Sequence, residues 1–111
     1  MTKKERLIYL AGIADGEGHF ALQKVKNGKG YVSYQPRIVI VNTDGPLVKW
    51  IQKHFGGYVY TYPTGSDTRR ECKPLHRWQI VGKKAVGLAA ELQPYLIVKK
   101  QQVKRIVHQS G

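Results

Sequence analysis

Hydrophobic and polar positions change their period several times along the chain. Over residues 3–16, Leu7, Leu10, Ala11 and Ala14 recur at steps of three and four, which predicts a helix. Thr2, with Glu5 three residues on, fits a capping box, so that helix starts near Lys3. Gly16 and Gly18 are expected to end it, and Gly12 and Gly16, four apart, share a face that a second backbone could approach. The period then falls to two. In HFALQKVK (19–26), Phe20 and Leu22 point one way and Ala21 and Gln23 the other, with a bulge expected where Val25 breaks the alternation. NGKG (27–30) is a hairpin signal. A second strand follows at 31–41, with Tyr34, Pro36, Ile38 and Ile40 on one face and Ser33, Gln35, Arg37, Val39 and Val41 on the other; Pro36, which has no N–H to donate, suggests an edge or a bulge.

NTDGP (42–46) reads as a turn that opens a helix capped by Thr43 or Asp44. Leu47, Trp50, Ile51, His54 and Phe55 form its apolar stripe, and Gly56-Gly57 stops it. YVYTY (58–62) predicts a strand with Tyr58, Tyr60 and Tyr62 on one face, taken as the outward one. A polar, basic loop spans 63–74, and LHRWQIV (75–81) predicts a fourth strand with Arg77 and Gln79 opposite Trp78 and Ile80. Residues 83–93 read as a helix ended by Pro94, and a last short helix follows from Lys99. The order α-β-β-α-β-β-α-α, in one domain over residues 1–111, predicts an α+β fold: a four-stranded sheet with helices on its back and a polar, tyrosine-bearing face left open.

Charge sharpens this picture. Nineteen Lys and Arg stand against seven Asp and Glu, for a net charge of +12. Such an excess repels itself unless a polyanion is near, which points first to nucleic acid and second to an anionic membrane. The membrane reading is the weaker: no apolar run is long enough to span a bilayer, and there is no basic amphipathic helix of useful length. No secretory signal is read at the N-terminus. The single cysteine, Cys72, cannot pair within the chain, and no Cys/His cluster offers a zinc site. An intracellular setting is expected, in an organelle, a bacterial cytoplasm or a phage-infected cell, and any metal should be a hard cation held by oxygen.

Asp15 and Glu17 stand out, because two acids at a helix C-terminus oppose the macrodipole. Turn capping is one explanation. A cation held by carboxylate and helix-end carbonyl oxygens is another.

The stretch Leu10-Ala11-Gly12-Ile13-Ala14-Asp15-Gly16-Glu17-Gly18 resembles, position by position, the signature of the LAGLIDADG homing endonucleases. It sits at the end of a first helix and just before a strand, as in that family. IVIVNTDGPL (38–47) and ELQPYLIVKKQQ (91–102) extend the likeness over residues 7–103. The resemblance implies the αββαββα repeat, a curved antiparallel sheet, and a two-fold homodimer in which two motif helices pack together, here through Leu10, Ala11, Gly12 and Asp15, with the small Gly16 on the same face. It implies a double-strand DNA endonuclease acting on a long, near-palindromic site. Glu17, with the Gly16 carbonyl, would hold a divalent cation, Mg²⁺ or another such as Mn²⁺ or Ca²⁺. Lys99 would lie near the scissile phosphate, and Asn42 would help position water. The open sheet face would enter the major groove. Gln23, Ser33, Gln35, Arg37, Tyr58, Tyr60, Tyr62, Arg77 and Gln79 are the candidate DNA contacts there. Lys24, Lys26, Lys29, Arg69 and Arg70 are the candidate phosphate contacts. The rival reading is a non-cleaving protein of the same fold, an intron RNA maturase or a DNA-binding regulator; retention of Glu17 favours the nuclease.

Overall fold

Helix α1 (Lys3–Glu17) begins as its capping box requires: Thr2 Oγ1 accepts the Glu5 N–H at 3.1 Å, and Glu5 Oε1 accepts the Thr2 N–H at 2.8 Å. The computed structural model describes residues 1–62 and 74–109. The helix ends between the two expected glycines, one residue past Gly16: it runs to Glu17, and Gly18 is its cap, with its N–H bonded to the Ala14 carbonyl. Strands β1 (Gly18–Lys26) and β2 (Val32–Asn42) pair antiparallel without interruption, from Gly18 opposite Ile40 to Lys26 opposite Val32. The expected bulge at Val25 is therefore absent. That end of the hairpin is exposed on both faces, so nothing there requires strict alternation.

Helix α2 (Gly45–Phe55) is capped by Asp44, whose carboxylate accepts the Leu47 N–H at 3.0 Å. Strands β3 (Tyr58–Tyr62) and β4 (Leu75–Val81) complete an antiparallel sheet of order β1-β2-β4-β3. Helix α3 (Lys83–Leu92), a 3₁₀ turn (Gln93–Tyr95) and helix α4 (Lys100–Gln109) follow. β2 is an interior strand, contrary to the hint from Pro36. Its pairing with β4 begins only at Arg37, so Pro36 sits where that neighbour has ended, and its carbonyl takes the Gly82 N–H at 3.0 Å. The missing donor thus costs no β4 ladder bond.

The core draws on one side of the sheet. Phe20, Ile38, Ile40, Trp78 and Ile80 face the helices and pack with Leu7, Leu10, Ala11 and Ala14 of α1, Val48 and Ile51 of α2, Leu88 and Leu92 of α3, and Val103 and Ile106 of α4. Val48, outside the predicted stripe, and Ile51, within it, carry the α2 contact, while His54, placed in that stripe, is exposed. Trp78 is fully buried and donates Nε1–H to the Gly56 carbonyl at 2.7 Å. Gly57, at φ +90°, lies so close to this indole that an added Cβ would come within 2.8 Å of Nε1. The opposite sheet face carries no helix among the described residues.

Candidate functional site

Where α1 ends, four of the residues picked out by sequence converge. Helix α4 opens without a cap of its own: Ile97, Val98 and Lys99 precede it, and none has a side chain able to accept from the backbone. Lys99 directly precedes the helix and the other two lie further outside it, and all three N–H groups find acceptors on α1. Asp15 supplies them, taking the Ile97 N–H on Oδ2 at 2.7 Å and the Val98 and Lys99 N–H groups on Oδ1 at 3.1 and 3.0 Å. In return, Lys99 Nζ donates to the carbonyls of Ala14, at 3.1 Å, and Gly18. A cation on helix-end carbonyls offsets the dipole that Asp15 and Glu17 oppose.

Glu17 is left free of that exchange. Its carboxylate is exposed, and Oε2 accepts Asn42 Nδ2–H at 2.6 Å. Asn42, at the end of β2, is itself oriented by the Asp44 N–H, which donates to its Oδ1 at 2.8 Å. Asp44 was singled out only as a cap; its second part, fixing Asn42, shows once the turn is seen folded. Among the described residues, neither Asp15 nor Glu17 forms an ion pair.

The donor set fits a hard cation of a particular kind. The Gly16 carbonyl is among the last four of α1, which the helix itself cannot satisfy. One carboxylate and one carbonyl suit Mg²⁺, which keeps several waters and completes its shell with substrate phosphate. Among the described residues no group of three or more His, Cys, Asp or Glu is gathered.

The dimer-contact residues need correction. Leu10 and Ala11 are 0% exposed, inside their own chain's core, and Asp15 is turned onto residues 97–99. The outer stripe of α1 is instead Ile8, Tyr9, Gly12 and Gly16, with Ile13 half-buried; Ile8 is 46% and Tyr9 50% exposed. Tyr9 meets the half-buried Trp50 of α2 edge-on, with ring centroids 5.2 Å apart. A Cβ added at Gly12 or Gly16 would touch nothing within 4 Å. Glycine there is thus not required by packing within the chain, although it weakens the helix.

Across the open sheet face, the register lines up Tyr58, Gln79, Val39 and His19 in one row from β3 to β1, and Tyr60, Arg77 and Val41 in the next. Arg37 lies between Ala21 and Val81, Gln23 stands opposite Gln35, and Val25 opposite Ser33. All three tyrosines are exposed. The Nε atoms of Arg37 and Arg77 are buried yet have no partner among the described residues. Lys24 and Lys26, opposite Tyr34 and Val32, share the side of Leu22, so they leave this face and stand at the hairpin's far end, with Lys29 in its turn. Arg69 and Arg70 lie outside the described residues.

No family model and no curated protein matches the sequence. Solved structures do match. The homing endonuclease I-CvuI, solved in complex with its target in the presence of calcium, aligns over 95% of this chain and 65% of its own at 22% identity, with a TM-score of 0.74. The archaeal intron-encoded homing endonuclease I-Vdi141I, complexed with DNA, aligns over 98% of this chain and 69% of its own at 16% identity and a TM-score of 0.75. The LAGLIDADG homing endonuclease I-GzeII, in complex with a DNA target, aligns over 93% of this chain but 35% of its own, at 18% identity and a TM-score of 0.65. The present chain thus spans less than two thirds of I-CvuI and about a third of I-GzeII. With its four-stranded sheet, its helices on one side and the motif at the end of α1, this chain has the fold of the LAGLIDADG homing endonucleases.

Proposed function

We propose that two copies of this chain form a divalent-metal-dependent endonuclease that cuts both strands of DNA at a long, near-palindromic site. The observation that carries the reading is the meeting of Glu17, Asn42 and Lys99 at the end of α1 in a chain of net charge +12. Cutting two strands needs two sets of these groups, and a two-fold dimer supplies them. Gly12 and Gly16 are where the second α1 helix comes close.

Glu17 and the Gly16 carbonyl would hold Mg²⁺ or a similar cation, which when bound makes water a better nucleophile at neutral pH and offsets charge on the phosphate. Asn42 restrains the Glu17 carboxylate through one oxygen and leaves the other for the cation. Lys99 has three donors, of which two are spent on carbonyls; the third is available to a phosphate oxygen. Arg37, Arg77, Gln23, Gln35, Gln79, Ser33 and the three tyrosines lie over the major groove. Lys24, Lys26 and Lys29 meet phosphates beyond the hairpin end of the face, and Arg69 and Arg70, outside the described residues, remain candidates for the same part. Such contacts release counterions, so binding falls steeply with salt.

The test uses duplexes selected from a randomised pool by binding to the full chain in Ca²⁺. Transferred to Mg²⁺, the protein should break both strands, and chelation should stop it. Tight binding with no cutting in Mg²⁺ or Mn²⁺ would replace this reading by the non-cleaving one, and preference for a structured RNA over every selected duplex would point to a maturase.

A further inference from the structure

The acid not proposed as a metal ligand points away from Glu17. Asp15 lies in the motif beside Glu17, yet its carboxylate is committed to the backbone of residues 97–99. We propose that Asp15 is a positioning residue for Lys99: by holding the Lys99 backbone against the end of α1, it sets where the Lys99 ammonium stands relative to Glu17. This inference rests on the reading of Lys99 as a group that meets the scissile phosphate.

Three observations carry it. Asp15 is the acceptor for the Lys99 N–H itself, besides those of its two predecessors. The same lysine's Nζ returns to the carbonyls on both sides of Glu17 in sequence, Ala14 and Gly18. Lys99 is therefore held at both ends by one helix terminus, its backbone by a side chain and its side chain by backbone. Finally, the segment has no local alternative. Ile97 and Val98 are 86% and 73% exposed and pack on little, so the Asp15 carboxylate is the chief restraint on their backbone. A long, rotamer-rich side chain gains reach but loses precision unless its root is fixed, and misplacing a reacting group by about 1 Å costs on the order of 100-fold in rate.

The two residues then act as one unit, and their effects do not multiply. The experiment compares the full-length wild type, Asp15→Asn, Lys99→Met and the double variant on a selected duplex, by single-turnover cleavage in Mg²⁺ and by affinity in Ca²⁺. Asp15→Asn should cut about 10- to 100-fold more slowly, with affinity within about threefold. Adding it to Lys99→Met should slow cutting no further. Independent of cutting, Asp15→Asn should speed amide exchange at residues 97–99 and shift the Lys99 ammonium nitrogen resonance toward those of surface lysines. Asp15→Glu, which keeps the charge but adds a methylene, should fold and lose rate similarly. Full multiplication of the two losses overturns the inference while leaving the role of Lys99 intact. Wild-type cutting by Lys99→Met overturns both, and the single variant alone reveals it. Unchanged exchange and an unchanged ammonium signal in Asp15→Asn overturn the inference whatever the cleavage result.

Discussion

Replacing Gly12 by alanine should act with opposite sign on the protomer and on the pair. Within one chain Gly12 is exposed on α1, and a methyl group there would meet nothing within 4 Å. Its backbone is helical, so alanine improves helix propensity by about 1 kcal/mol. A lone protomer of Gly12→Ala should therefore resist urea by about that much more than wild type. In the proposed dimer the same methyl would appear on both helices where the two backbones come close. Overpacking of that kind costs about 1–3 kcal/mol. At 1.4 kcal/mol per tenfold, the dimer dissociation constant should rise roughly 5- to 150-fold. Sedimentation velocity over a dilution series measures the second quantity. Urea unfolding at a concentration where wild type is monomeric measures the first, since stability of the dimer depends on concentration. A variant that dimerises as tightly as wild type would refute the close approach at Gly12, and a less stable protomer would show that the site is crowded within the chain.

Other changes separate the parts of the site. Asn42→Ala frees Glu17 from its one side-chain restraint and should lower the cleavage rate about 10- to 100-fold with duplex affinity preserved; an equal loss of binding would show that Asn42 serves the interface instead. Trp78→Phe removes the buried bond to the Gly56 carbonyl and should cost about 1–3 kcal/mol in urea unfolding; a neutral result would mean that water replaces the indole. Arg77→Ala should leave thermal stability unchanged and weaken duplex binding by about 1–3 kcal/mol, concentrated at one base pair. Lys29→Ala should weaken binding evenly across sequences and reduce the salt slope by about one; a site-specific loss there would reverse the two assignments.

The sheet was readable because its two sides differ. In β1 and β4, Phe20, Trp78 and Ile80 alternate with His, Arg and Gln, which assigns the buried face. The Ile38–Val41 run of β2 carries no such period, and for the tyrosines of β3, which could also have been half-buried with Val59 and Thr61 outward, the neighbouring hydroxyls and charges decided. Helix α1 was harder. It is apolar on several sides, with Leu7, Leu10, Ala11 and Ala14 inward and Ile8, Tyr9 and Ile13 toward the outside. Periodicity finds such a helix but cannot say which side meets its own core, and the resemblance placed Leu10 and Ala11 at the partner contact although they are buried. The exposed glycines are the better marker, because glycine inside a helix has a cost that packing within the chain does not explain. The partners of Asp15 lie in a segment far along the chain, and no local pattern pairs them.

The most direct measurement is cleavage by Glu17→Gln beside wild type, on one selected duplex, in Mg²⁺. Glutamine keeps the length of the side chain and an oxygen for the Asn42 bond, and removes only the charge that a cation needs. The account predicts unchanged affinity in Ca²⁺ and no detectable break in either strand. A Glu17→Gln protein that cuts both strands at the wild-type rate would contradict it.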